Sequence, residues 1–226
     1  MQKLPKRLLY SLAGPVVLLL SVPLTVGAAT YNLSADWSDL TNPNSPWSYL
    51  VNGTVASSGG ARTGDTFAAP GAPPIWGSGF LGWSKNNGSA DGFLDLMPGD
   101  VYGHTGAIAI DWTSPITGTI DLSGATWQLR NIGRLNDWSV SLGSTVLTSG
   151  TIVSGDGHSR ANPNSFSFPA LPVTEGEIVE FRAFNGGDYL GVDFTITSQT
   201  VVPVPAALWL FSSALGGLGI LRRRTA

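Results

Sequence analysis

Residues 107–115 read AIAIDWTSP, in which Ile108, Ile110 and Trp112 alternate with Ala109 and Asp111. A period of two sends the isoleucines and the tryptophan to one face of an extended strand and the aspartate to the other. Outward from this stretch the same alternation recurs. In GVDFTIT (191–197) Val192, Phe194 and Ile196 oppose Asp193, Thr195 and Thr197, and in DWSVSLG (137–143) Trp138, Val140 and Leu142 share a face. GTIDLSG (118–124) contributes Ile120 and Leu122. Further strands are predicted over 31–37, 47–55, 92–97, 126–131, 145–153, 164–168 and 178–184.

Turn-forming clusters separate these runs: NPNSP, MPGD, SPITG, NIG, GDGH and NGGD. Many short amphipathic strands at this spacing, without a helical period between the termini, predict an all-β antiparallel β-sandwich of jelly-roll type over residues 30–200. Composition agrees. Charged residues make up 12% of the 226, whereas the chain holds 29 Gly and 15 Pro, which favours short strands and turns over exposed helices.

The charge is unevenly distributed. All 15 acidic residues lie between Asp36 and Asp193, and only six of the 12 basic residues lie in 30–200, so that this body carries a net charge of −9 against −3 for the whole chain. An acidic body excludes nucleic acid as a partner, because phosphate binding needs a contiguous basic surface. Cysteine is absent, so the chain has neither a disulfide framework nor a thiolate metal site.

Both ends read as membrane signals. Residues 1–29 hold a basic start (Lys3, Lys6, Arg7), an apolar run over 8–20 and the small residues Gly27, Ala28 and Ala29, the three parts of a cleaved secretory signal peptide. The mature chain then starts near Thr30. Residues 201–221 contain no charge and precede Arg222, Arg223 and Arg224. A helix from Ala206 to Leu221 has about 16 residues and spans roughly 24 Å, short for a bilayer core of about 30 Å. The arginines act as a cytoplasmic stop, since basic residues resist translocation.

The tail VPVPAALWLFSSALGGLGILRRR resembles the PEP-CTERM sorting signal of Gram-negative bacteria. The resemblance implies that Pro203, Val204 and Pro205 form the sorting motif, with Val204 where the family name has Glu, followed by a transmembrane helix and an arginine stop. It also implies an exosortase-type sorting enzyme as partner, membrane attachment of the precursor over 201–226, and delivery to the cell surface or an extracellular polysaccharide matrix. In the body, NPNSPWSYL, MPGDVYGHTGAIAIDWTSPITGTIDLSG and VTEGEIVEFRAFNGGDYLGVDFTIT, in that order, are similar to a jelly-roll domain common in exported bacterial proteins and near carbohydrate-binding modules. That likeness describes a scaffold and names no ligand.

Ligand-binding residues are sought among aromatic side chains able to stack on sugar C–H faces. Trp76 and Trp83, in the Gly/Pro-rich PPIWGSGFLGWSKNNG, stand outside the alternating strands and are expected to be exposed; Trp112 and Trp138 belong to inward faces. For metal, NNGSADG places Asn87, Ser89 and Asp91 at calcium-loop spacing before Gly92, but Pro98 occupies the twelfth position, so the EF-hand pattern fails. Asp91, Asp188 and Asp193 are the candidate ligands for a structural calcium, against the simpler reading of Asp and Asn as turn residues. No other cofactor is expected.

No catalytic residue emerges. His104 and His158 are the only histidines, and no nucleophile elbow is present. Glu175, Glu177 and Glu180 could supply a paired-carboxylate hydrolase but read more simply as a solvated strand face. The expectation is an exported, non-enzymatic surface or matrix protein with carbohydrate as its ligand; the alternatives are a secreted polysaccharide hydrolase and a purely structural surface protein.

Overall fold

The computed structural model describes residues 28–58, 76–78, 81–86, 95–104, 106–153 and 155–199. Residues 1–27 of the leader, Asp91, the motif Pro203, Val204 and Pro205, and Arg222, Arg223 and Arg224 lie outside the described residues. Among the described residues no helix is long and apolar enough to cross a membrane. Gly27–Val201 forms a compact unit of its own, the body of the protein.

The described residues form strands and turns throughout. In chain order the strands are β1 (Thr30–Asn32), β2 (Trp47–Val51), β3 (Thr54–Val55), β4 (Trp76–Ser78), β5 (Leu81–Lys85), β6 (Val101–His104), β7 (Ile108–Thr113), β8 (Gly118–Gln128), β9 (Leu135–Leu142), β10 (Thr145–Val153), β11 (Asn164–Val173), β12 (Ile178–Phe184) and β13 (Tyr189–Ser198). They build two antiparallel sheets. The seven-stranded sheet runs β11-β8-β13-β6-β5-β4, with β1 pairing β13 beyond the end of β6; the six-stranded sheet runs β10-β9-β12-β7-β2-β3.

The alternating residues meet between the sheets. Phe194 of β13 lies 6.5 Å from Phe181 of β12, 5.8 Å from Trp47 of β2 and 5.9 Å edge-on to Phe166 of β11, while Trp138 of β9 stacks on Phe181 at 6.3 Å. Ile108, Ile110, Trp112, Ile120, Leu122, Val140, Val192 and Ile196 complete this core. Each large side chain withdrawn from water contributes about 1.5–3 kcal/mol, enough to dictate which face of every strand turns inward.

The unshared edge of β11 carries Pro169 and Pro172 beside a bulge between Phe168 and Leu171, with Ala170 at φ +53°. Proline lacks the N–H that a neighbouring strand would need, so this edge is blunted against further pairing.

Four local expectations are corrected. The 31–37 strand stops at Asn32, because Asp36 Oδ2 accepts the Asn32 N–H and Asn32 Oδ1 accepts the Ala35 N–H, folding 33–36 into a turn. The 47–55 run is a hairpin, broken at Asn52–Gly53 with positive φ at both residues, the geometry of a tight two-residue turn. Strands predicted separately at 118–124 and 126–131 are the single β8. The fourth concerns Trp76 and Trp83. They are paired directly across the β4–β5 hairpin and are 3% and 0% exposed, facing the core, with Trp83 edge-on to Phe181 at 6.2 Å. The intervening glycines reflect close approach of backbones: a Cβ on Gly77 would stand 2.0 Å from the Leu81 carbonyl oxygen. Buried indoles cannot stack on a sugar, so these two residues are core.

Candidate functional site

The pleat that buries Ile120 and Phe194 also sends the odd-numbered residues of β8 and β13 to the opposite, outer face of the seven-stranded sheet. There Trp127, Leu129, Leu96 and Tyr189 form a second, smaller apolar cluster, with Tyr102 against it. Trp127 lies over Gly191 of the adjacent strand, and its indole Nε1–H donates to the Asp95 carbonyl at 3.3 Å.

Above Trp127 lies Arg160, from the turn between β10 and β11, its guanidinium 5.9 Å from the ring centroid. Nε and Nη2 of Arg160 donate to Oδ2 and Oδ1 of Asp100 at 2.7 and 3.0 Å, and its backbone N–H donates to Asp95 Oδ2 at 3.0 Å. Asp100 Oδ2 also accepts the Met97 N–H at 2.7 Å. The hydrogen bonds to Asp100 hold the Arg160 pKa above its ordinary value. A two-pronged guanidinium–carboxylate pair fixes the orientation of both planes, so Arg160 forms a rigid wall.

That wall bounds an open cleft of about 380 Å³. Ala125 and Asp193 line it from the outer face of the sheet, and Asn32, Ser34, Gly99 and the Asp100–Arg160 pair complete the lining named here. Asp193 is exposed and its Oδ1 accepts the Phe194 N–H at 2.8 Å. A second cleft of about 330 Å³ has Asp95, Arg130, His158 and Ser159 among its lining. Consecutive residues of one turn thus line two depressions, His158 and Ser159 the second and Arg160 the first.

Of the three carboxylates proposed for calcium, Asp91 lies outside the described residues, and Asp188 and Asp193 are separated by five residues of extended chain, roughly 16 Å. Asp188 is fully buried; its Oδ1 pairs with Arg130 Nε and accepts the Tyr189 N–H, while Oδ2 has no partner. A guanidinium already neutralises that carboxylate and would repel a second cation. Among the described residues no three acidic or histidine side chains converge. Asp193 is therefore assigned to the cleft.

Among the three glutamates, Glu177 caps its own turn by accepting the Thr174 N–H, and Glu180 faces Asp111 directly across β12 and β7 on the outer face of the six-stranded sheet. Partial burial and, second, the Glu180 charge push the Asp111 carboxyl up to about 6. Native Asp111 therefore holds a proton that the unfolded chain releases between about pH 4 and pH 6, so its contribution to stability falls as pH rises through that window. Asp111→Asn is expected to match wild type near pH 4 and to exceed it at pH 7 by about 1 kcal/mol, after allowance for solvent screening of a partly exposed group. Urea midpoints at the two pH values measure this; an equal difference at both would refute it.

Trp127 and Arg160 were not singled out by the sequence. The phase of Ile120 and Leu122 does place Trp127 on the outer face, and an aromatic residue out of phase with its strand was the available signal. For Arg160 there was none, since its partner Asp100 is 60 residues away.

No family model matches the chain, and no curated protein does. Similar solved structures include the cleaved adhesin domain of Lys-gingipain from Porphyromonas gingivalis, at 12% identity and TM-score 0.38, covering 69% of this chain and 93% of that one. The CBM36-1 domain of a multidomain xylanase from the hindgut metagenome of Trinervitermes trinervoides is similar at 14% identity and TM-score 0.31, covering 52% and 92%. CsCBM6-3 from Clostridium stercorarium, in complex with cellobiose, is similar at 11% identity and TM-score 0.29, covering 53% and 82%.

Proposed function

We propose that this chain is an exported, non-enzymatic protein of the cell surface or extracellular polysaccharide matrix, and that its β-sandwich binds carbohydrate in the Arg160 cleft. The observation that carries the reading is the cleft itself. It combines a fixed guanidinium–carboxylate pair, an exposed carboxylate, Asn32 and the Ser34 hydroxyl around a depression large enough for a sugar ring. Sugar hydroxyls each offer a donor and an acceptor, and planar Asp, Asn and Arg groups held in place meet them with little loss of side-chain entropy.

Export and sorting rest on the termini: a secretory leader, and a tail resembling an exosortase signal in which Pro203, Val204 and Pro205 precede an apolar segment and three arginines. Mass spectrometry of the released protein is expected to find no peptide beyond about Pro205. Full-length chain retained in the inner membrane would instead identify a permanent anchor.

A glycan array probed with the full-length chain in mild detergent tests the binding. Binding is expected, and Arg160→Ala is expected to weaken it about tenfold or more, the usual consequence of unpairing a half-buried hydrogen-bonded charge. Arrays blank for every glycan would reject the reading. A hydrolase is the second reading, because Asp111 and Glu180 are adjacent carboxylates of which one titrates near 6. Neither belongs to the lining of either cleft, and Asp100 is committed to Arg160. Release of reducing sugar that Asp111→Asn abolishes would favour the hydrolase.

A further inference from the structure

The ligand class follows from the charge of the cleft, on the reading that this cleft binds carbohydrate. We infer that it selects amine-bearing glycans, those whose hexosamine units present a free ammonium, over neutral and uronate-bearing chains. Arg160 feels three carboxylates, Asp100, Asp95 and Asp193. Two of them are occupied by it: Asp100 accepts its guanidinium and Asp95 its backbone N–H.

Asp193 is the third and differs from the others. It is exposed on the sheet side of the cleft, its Oδ1 is capped by the neighbouring Phe194 N–H, and among the described residues no ion pair includes it. Lys85 donates to the Ser34 carbonyl at 2.7 Å and is not among the residues that line the cleft. A ligand entering the cleft therefore meets an exposed carboxylate that has no ion-pair partner among the described residues. A hydroxyl satisfies its hydrogen bonding, an ammonium satisfies hydrogen bonding and charge together, and a uronate is repelled.

The body reinforces this locally anionic site. With a net charge of −9 over 30–200, its long-range field attracts polycations and opposes polyanions, which sets the rate of encounter before any contact is made. Two clefts lined by consecutive residues, Arg160 in one and His158 and Ser159 in the other, suit a chain rather than a single sugar.

Calorimetry with the full-length chain and three hexasaccharides tests this: a neutral N-acetylglucosamine hexamer, its fully N-deacetylated glucosamine counterpart and a hexuronate. The titrations are run near pH 6, where an aspartate is ionised and a sugar amine protonated. The expected order is amine, then neutral, then uronate, with the amine bound about fivefold or more tighter than the neutral oligomer at low salt. High salt should compress that ratio, as screening demands. Asp193→Asn keeps the acceptor for the Phe194 N–H while deleting the charge, and should bring the amine-to-neutral ratio close to one. Asp121→Asn, a carboxylate of the same face outside the cleft, should leave the ratio as in wild type. Neutral or uronate chains bound as tightly as the amine, or an amine preference unchanged in Asp193→Asn, would overturn the charge inference alone. Absence of binding to all three would overturn the carbohydrate reading on which it rests.

Discussion

Trp83→Ala is expected to lower the melting temperature of the body by about 10 °C or more, since truncating a core tryptophan costs about 3–5 kcal/mol and a chain of this length loses about 2–4 °C per kcal/mol. The side chain is fully enclosed: edge-on to Phe181 on one side, with Gly103 so close that a Cβ there would stand 2.7 Å from the indole Cζ3. Truncation leaves a cavity between two sheets whose backbones are held by their own ladders, so collapse recovers little of the lost contact. Trp83→Phe gives the sharper comparison. Its indole Nε1 is buried without a hydrogen-bond partner, so replacing it with a phenyl ring removes an orphaned donor as well as volume and should cost about 1 kcal/mol. Thermal melts by circular dichroism measure both. A surface sugar platform would behave in the opposite way, with Ala leaving the melt unchanged while abolishing binding, and that pattern would return Trp83 to the ligand site.

What the sequence made legible depended on whether the information was local. β10 and β12 occur over 145–153 and 178–184 as expected, each run being bounded by turn residues; in β12 the alternating Val179, Phe181 and Ala183 are all buried, whereas β10 buries only Ile152. The 76–85 region misled for a physical reason. Glycines at 77 and 82, expected to mark a loop, instead let the two short strands approach, since a Cβ on either would run into the backbone opposite. The cleft was the least legible part. Asn32, Asp100, Trp127, Arg160 and Asp193 come from five separate stretches, and only sheet register brings them together. Asp193 was read as a candidate calcium ligand and not as a cleft carboxylate outside any ion pair of the described residues, because that property depends on which guanidinium lies near it and what that guanidinium already holds.

Register also makes the site vulnerable at a residue that contributes no side chain. Gly191→Ala is expected to abolish measurable ligand binding and to destabilise the body by about 2–3 kcal/mol, the range for overpacking a filled site. A Cβ on Gly191 would lie 2.2, 2.4 and 2.6 Å from Cε2, Cζ2 and Nε1 of Trp127, deep inside the indole's van der Waals envelope. The ring has no easy retreat: it is 4% exposed, its Nε1–H is bonded to the Asp95 carbonyl, and Arg160 covers it. If the indole lifts, Arg160 loses its platform, the guanidinium plane fixed by Asp100 must turn, and the cleft loses its wall. Gly118→Ala supplies the comparison on the neighbouring strand, where an added Cβ meets nothing nearer than Ile116 Cδ1 at 3.7 Å, and both the melt and the binding should stay within error of wild type. Trp127 fluorescence cannot be isolated among eight tryptophans, so the readouts are the melt and glycan titration. A stable Gly191→Ala protein that still binds its glycan would show that the Trp127–Arg160 stack does not form the ligand's wall, and the site would have to be sought in the second cleft, beyond His158.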